Sequence, residues 1–206
     1  SIWDEYAHDV GSPTGLNHIA DGSTGDVADD TANLTRFRED VALMASVGVR
    51  SYRFSVSWPR VMPTGRKESL NAEGLEYYRQ AVDALLEAKI EPFITLYHYD
   101  LPAALEHSEG GWLNSSVVDA FSEYADVVFE ALSPRVKYWL TINEPHSIAT
   151  GGYMYGEAAP GRCSNRSLCR HGNGTTEPYI VGHHLLLAHA AAVEVYRLKH
   201  QARSPE

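Results

Sequence analysis

The sequence has no basic block and few basic residues at all. Its 17 Lys and Arg stand against 27 Asp and Glu, for a formal net charge of −10. So acidic a chain neither neutralises phosphates nor is drawn to an anionic bilayer, which excludes nucleic acid and membrane surfaces as expected partners. No apolar run reaches the roughly 18 residues of a membrane span. No G-x-G-x-x-G follows a strand-like segment. The Gly-rich Asp21-Gly22-Ser23-Thr24-Gly25-Asp26 lacks the lysine of a phosphate loop and reads as a turn. The chain opens on Ser1 with no signal-peptide pattern, so a removed leader or a fragment is expected. Internal repeats and low-complexity tracts are also missing.

Cysteine is scarce. Cys163 and Cys169 are the two present, with five residues between them in a polar, Gly-rich stretch. Without a partnering histidine pattern they do not make a zinc site. A small loop-closing disulfide is expected, and free surface thiols are the alternative. Four of the seven asparagines, Asn33, Asn114, Asn165 and Asn173, begin N-x-S/T acceptor triplets. Acceptor triplets together with a disulfide point to glycosylation and the secretory pathway.

What is present is a 206-residue chain that is 44% hydrophobic, enough for one domain or most of one. Leu34, Phe37, Val41 and Met44 form one helical stripe over 33–47, and Gly48 stops it. Residues 50–57 read as a strand, 71–88 as a helix capped by Asn71, and 91–97 as a second strand. A helix over 115–132, a strand over 136–143 and a helix over 176–199 follow. Strands alternating with helices of this length imply a parallel sheet with right-handed crossovers. With no dinucleotide fingerprint, a (β/α)₈ barrel is favoured over a doubly wound sheet, but three strands cannot close it. Long connections follow each strand, about 13, 17 and 30 residues. Sites of barrel enzymes are built at that end.

Three strand ends carry chemistry. Arg53, Ser55 and Ser57 alternate with apolar residues, which puts them on the lumen face, and a buried Arg requires a carboxylate or some helix acid as partner. The second strand runs into His98, Tyr99 and Asp100 before Pro102. His98 can bond a neutral hydroxyl, Tyr99 offers an aromatic face, and Asp100 reads as a cap for a short helix over 101–105. The third strand ends in Asn143 and Glu144, with Pro145 denying a further ladder donor. A glutamate there suits proton donation to a glycosidic oxygen if burial or a negative neighbour raises its pKa. Glycoside hydrolysis also needs a second carboxylate, and none is evident. His183, His184 and His189 lack metal spacing and read as packing residues. Trp58, Trp112 and Trp139 read as core, 106–109 as a solvated loop, and 151–156 as either a rim to the site or an ordinary loop.

The run Thr141-Ile142-Asn143-Glu144-Pro145 resembles the T-x-N-E-P signature of family 1 glycoside hydrolases, the β-glucosidases and their relatives. Further matches, in order, are Ser1-Ile2-Trp3-Asp4, residues 21–27 (DGSTGDV), 52–59 (YRFSVSWP) and 96–102 (LYHYDLP). Then come Gly110-Gly111-Trp112, Ala159-Pro160-Gly161-Arg162, 176–181 (TEPYIV) and His183-His184-Leu185. The cysteine loop and final helix most resemble secreted plant-type members, which implies an extracellular or vacuolar setting. The resemblance implies a (β/α)₈ barrel and a retaining double displacement on small-molecule β-glycosides, with no metal or cofactor. It assigns Glu144 as general acid and base, and Asn143 and His98 as holders of sugar hydroxyls. Arg53 would lie against the nucleophile carboxylate. Tyr99 departs from the usual Trp, keeping an aromatic platform but losing the indole N–H.

The family's nucleophile motif T-E-N-G is absent, as are the first barrel strand and the later glycone-binding Trp and Glu. Residues 1–206 therefore read as one incomplete barrel domain, units two to four with the preceding helix. Such a piece is expected to be inactive alone and to self-associate through its open edges. The alternative is a non-catalytic carbohydrate-binding or interaction remnant.

Overall fold

Three parallel strands lie side by side in the order β1 (Ser51–Ser55), β2 (Glu91–Tyr97), β3 (Tyr138–Ile142). They belong to a computed structural model that describes residues 1–9 and 33–205. The Gly-rich turn expected at Asp21 lies outside the described residues. The register pairs Arg53 with Phe93 and Thr95 with Leu140. Helices α4 (Ala72–Glu87) and α6 (Ser116–Leu132) are the two crossovers, and α1 (Ile2–His8) and α2 (Leu34–Ser46) precede β1. The sheet is open: β1 and β3 each present an unpaired edge among the described residues. These are three consecutive βα steps with parallel strands, as the alternation predicts.

The central strand is the best buried. Ile94, Thr95, Leu96 and Tyr97 are all at most 1% exposed, whereas no residue of β1 or β3 is fully buried. Buried strands of this kind read as continuous apolar runs, and residues 92–97 do. The main core lies between sheet and helices, and its centre is aromatic. Trp58, Phe121, Tyr124, Tyr97 and Trp112 form a chain of ring contacts with centroids 5.0–6.4 Å apart. The buried Tyr124 hydroxyl of α6 lies 3.0 Å from Val56 O and 2.8 Å from Leu96 O, so one phenol ties the ends of β1 and β2 together.

Local signals set the element ends. Asn71 caps α4 by accepting from Gly74 N at 3.2 Å, as expected. Asn33 caps α2 through Thr35 N. The first strand stops short of the expected Ser57, because Ser57 to Val61 turn into the short helix α3 (Trp58–Val61) with Pro59 in its first turn. The final helix α8 (Glu177–Val195) ends earlier than expected and continues as a π-helical turn, 196–200. Its apolar residues run all round. Val181, Leu185, Ala188 and Ala192 pack inward, while Tyr179, Leu186 and Leu198 are more than 60% exposed.

Two segments expected as loops are helical instead. Residues 106–109 are not a solvated loop; they complete α5 (Ala103–Glu109), closed by Gly110 at φ 84°. Glu109 is clamped by Arg66 and Ser116, and burial raises the pKa of Glu106. Residues 151–153 are the last turn of α7 (Pro145–Tyr153), and Tyr153 is fully buried. A side chain at Gly152 would meet Ala159 O at 2.6 Å, so the absence of a Cβ, not flexibility, explains that glycine.

Asp100 does not cap α5 either. That helix begins beyond Pro102 without a side-chain cap, and Asp100 turns inward, its Oδ1 buried and unpaired among the described residues. Burial pushes its pKa up to about 7. The folded chain therefore holds a proton that the unfolded chain releases near pH 4. Stability falls as pH rises through the window between those values, by at most about 1.4 kcal/mol per unit for one proton. Asp100→Asn should remove that slope. Urea unfolding of both proteins at the two ends of the window reads it, and equal losses in both would show a solvated carboxyl.

The expected disulfide is present between Cys163 and Cys169, at S–S 2.11 Å. The tryptophans pack as expected: Trp58 and Trp112 are 0% exposed, and Trp139 sits edge-on to Phe129. His184 Nδ1 meets Trp112 O and His189 Nδ1 meets Thr141 Oγ1, both at 2.8 Å, so these histidines pack α8 against its neighbours.

Candidate active site

At the C-terminal ends of the strands, one connected set of polar side chains crosses the sheet. Arg53 reaches from β1 along its lumen face. Its Nε donates to Thr95 Oγ1 of β2 at 2.9 Å, and its Nη2 donates to Asn143 Oδ1 beyond β3 at 2.5 Å. Period-two alternation and a parallel register put Arg53 and Thr95 on one face. Among the described residues no carboxylate pairs with Arg53. No helix acid among the described residues partners it, and two neutral oxygens hold the guanidinium.

Asn143 N donates to Tyr97 O at 2.9 Å, the last rung of the sheet. The next residue, Glu144, adopts φ 43° and ψ 63°, a left-handed conformation uncommon outside glycine. Pro145 then starts α7. This reversal folds the Glu144 side chain back toward the end of β2, where Tyr99 waits, itself at φ 74°. The Tyr99 hydroxyl donates to Glu144 Oε2 at 2.5 Å. Arg53, Asn143, Tyr99 and Glu144 are thus brought together, with His98 beside Tyr99 at a ring-centroid distance of 5.1 Å.

The expected pKa of Glu144 is reversed. The carboxylate is exposed, and its pKa is lowered, first by the Tyr99 hydroxyl and then by Ser147, with His98 and Arg53 adding to the effect. Hydrogen bonds to the ionised form and nearby positive charge favour that form. Among the described residues none covers the acid to desolvate it. His98 has its pKa lowered, by burial first and then by Arg53, which leaves a neutral imidazole able to donate or accept. The pKa of Tyr99 is raised, by burial first and then by Glu144, so it stays a donor.

Two hollows flank this set. One, of about 310 Å³, is lined by Tyr99, Ser147, Trp3, Trp112, Ile148 and Gly151. The other, of about 620 Å³, is lined by Arg53, Ser55 and His98 together with Tyr77 and Tyr78. No group of three or more His, Cys, Asp or Glu side chains able to hold a metal occurs among the described residues. No helix among them is long and apolar enough to cross a membrane.

Two residues in contact with this set were not singled out from sequence. Ser147 sits one turn into α7, three residues after Glu144, where a helix-start reading finds a hydroxyl facing the cap. Thr95 supports Arg53 only because of inter-strand register, which no local signal carries. The four acceptor asparagines are all exposed. Each side-chain oxygen takes the N–H two residues on, at 2.9–3.1 Å.

The pattern of glycosyl hydrolase family 1 matches residues 1–204. β-Glucosidase 24 of Oryza sativa subsp. japonica is 48% identical over 207 residues, covering 98% of this chain and 39% of its own length. The coniferin β-glucosidase of Pinus contorta is 48% identical with 98% and 38% covered. The crystal structure of the rice Os3BGlu6 β-glucosidase superposes with a TM-score of 0.91 at 47% identity, over 98% of this chain and 41% of that one. The chain thus spans about two fifths of the length of the relatives it matches. An open three-stranded sheet is what such a portion of a closed barrel looks like. With the family pattern running from Ser1 to Ser204 and the same backbone in solved β-glucosidases, this chain belongs to glycosyl hydrolase family 1.

Proposed function

We propose that this chain carries the acid/base half of a retaining β-glycosidase site, acting on small-molecule β-glucosides or similar sugars. The observation that carries it is Glu144, held at the mouth of the sheet by Tyr99 and linked through Asn143 to Arg53. Glu144 protonates the departing sugar oxygen and later takes a proton from water. Asn143 and neutral His98 bind glycone hydroxyls. Arg53 faces where a second carboxylate belongs, about 5 Å from the first in retaining enzymes. Names among the relatives, such as the coniferin β-glucosidase, support a small glycoside as substrate.

Residues 1–204 joined to the remaining length of rice β-glucosidase 24 provide the test. The chimera should hydrolyse an aryl β-glucoside, and the 206-residue chain alone should not. An inactive but folded chimera would sink this reading in favour of a carbohydrate-binding remnant. The asparagines at 33, 114, 165 and 173, with the disulfide, support passage through the secretory pathway. Protein from its native source should lose mass on treatment with a glycan-cleaving enzyme, and an unchanged mass would refute it.

A further inference from the structure

We propose that Tyr99 is a positioning residue for Glu144, its phenol hydroxyl fixing the carboxylate by a direct hydrogen bond rather than serving only as a platform for sugar. The inference rests on the acid/base reading of Glu144. It adds a role for Tyr99 that the platform reading does not contain.

The contact is short, 2.5 Å from Tyr99 Oη to Glu144 Oε2. Both residues sit on left-handed backbone, at φ 74° and 43°. Two of the three described non-glycine residues with positive φ are therefore the two partners of one hydrogen bond. Non-glycine residues persist in that region only where their surroundings over-determine it. The surroundings here are specific. Pro145 and α7 hold Glu144 from one side. The Tyr99 ring packs partly buried against the core and lines the hollow shared with Trp3 and Trp112. The hydroxyl meets the carboxylate there, with Asn143 and Ser147 also beside it.

A phenol cannot lend its proton to the sugar and to Glu144 at once. The bond stabilises the carboxylate form, consistent with the lowered pKa of Glu144 and the raised pKa of Tyr99. The other groups facing Glu144 are Ser147 of α7, His98 at the end of β2 and Arg53 of β1, all acting in the same direction. His146 lies two residues on and lines the groove between α7 and α8. Tyr99 thus biases the pair toward the form that activates water, and it orients the oxygen that must meet the leaving group. A residue without a donor at this point would leave Glu144 freer to rotate and readier to hold its proton.

Heteronuclear NMR of the full chain with isotope-labelled glutamate and tyrosine reads this directly. In Tyr99→Phe the titration midpoint of Glu144 should rise, reflecting a severalfold gain in proton affinity, with the backbone spectrum otherwise retained. Ser147→Ala should move it less. In Glu144→Gln, an exposed replacement that spares the core, the phenol of Tyr99 should titrate at lower pH than in the parent. Unmoved midpoints in both variants would overturn the proposal, and the second variant decides alone if the first does not fold. The outcomes separate from the function test. Moved midpoints beside an inactive chimera would keep the coupling and discard the hydrolase reading, and the reverse pairing would do the opposite.

Discussion

Glu144→Gln should cost the chimeric enzyme about 10²- to 10⁴-fold in turnover of a β-glucoside with a poor leaving group, the usual range for a lost general acid. The substitution keeps size and shape, and its amide oxygen can still accept from Tyr99, so the fold and the proposed sugar-binding groups Asn143 and His98 stay in place. What is lost is the proton. The loss should therefore track the leaving group: large for an alkyl aglycone, and much smaller in kcat/KM for an activated phenol that departs without help. With the activated phenol the second step, which needs a base to take a proton from water, becomes limiting, and a burst of released phenol appears. The limb of the pH profile that belongs to the acid should vanish with it. A variant that keeps full turnover on poor leaving groups would mean that Glu144 is not the proton donor, whatever its place in the motif.

Trp58→Ala should destabilise the chain by about 3–5 kcal/mol, the range for truncating a large buried aromatic. Trp58 is 0% exposed and stacks on Tyr124 at 5.0 Å and 14°, with Phe121 at 5.6 Å and Tyr97 at 6.4 Å. Removing it opens space beneath the ends of β1 and β2, where Tyr124 holds both carbonyls. Because typical stabilities are only about 5–15 kcal/mol, this one change consumes much of what holds a domain together. Urea unfolding at fixed protein concentration measures it. Trp139→Ala, at a partly exposed ring on the edge strand, should cost less. Equal effects would show that the aromatic cluster is not the mechanical centre of the fold.

Much of this was legible along the chain. Helical stripes, the Asn71 cap and the apolar run of β2 sit where periodicity puts them, because each is a local preference that packing reinforces. Asn143 and Glu144 stand out for a similar reason: a polar pair ending an apolar strand is visible without coordinates. Asp100 was misread because an acid two residues before a proline looks like a cap. Whether its carboxyl turns to the helix or into the core depends on the packing around Tyr97 and Leu101, which lie beside it. The segment 106–109 reads as a loop because it is polar, and 151–153 because glycine is a poor helix former. Arg66 and Arg162, distant in sequence, hold the first segment, and the close approach of Ala159 to Gly152 sets the second.

The order of strands and helices, the family pattern and the residue types at the site were determined by sequence alone, since each is written in short-range periodicity or in consecutive letters. Only the tertiary structure decided which side chains meet. The guanidinium of Arg53 reaches Thr95 and Asn143 because a parallel register aligns residues 42 and 90 positions apart. The hydroxyl of Tyr99 reaches Glu144 because two left-handed turns aim neighbouring strand ends at each other. Those long-range alignments are set by packing the whole sheet against its helices, and the charge state of the acid follows from them.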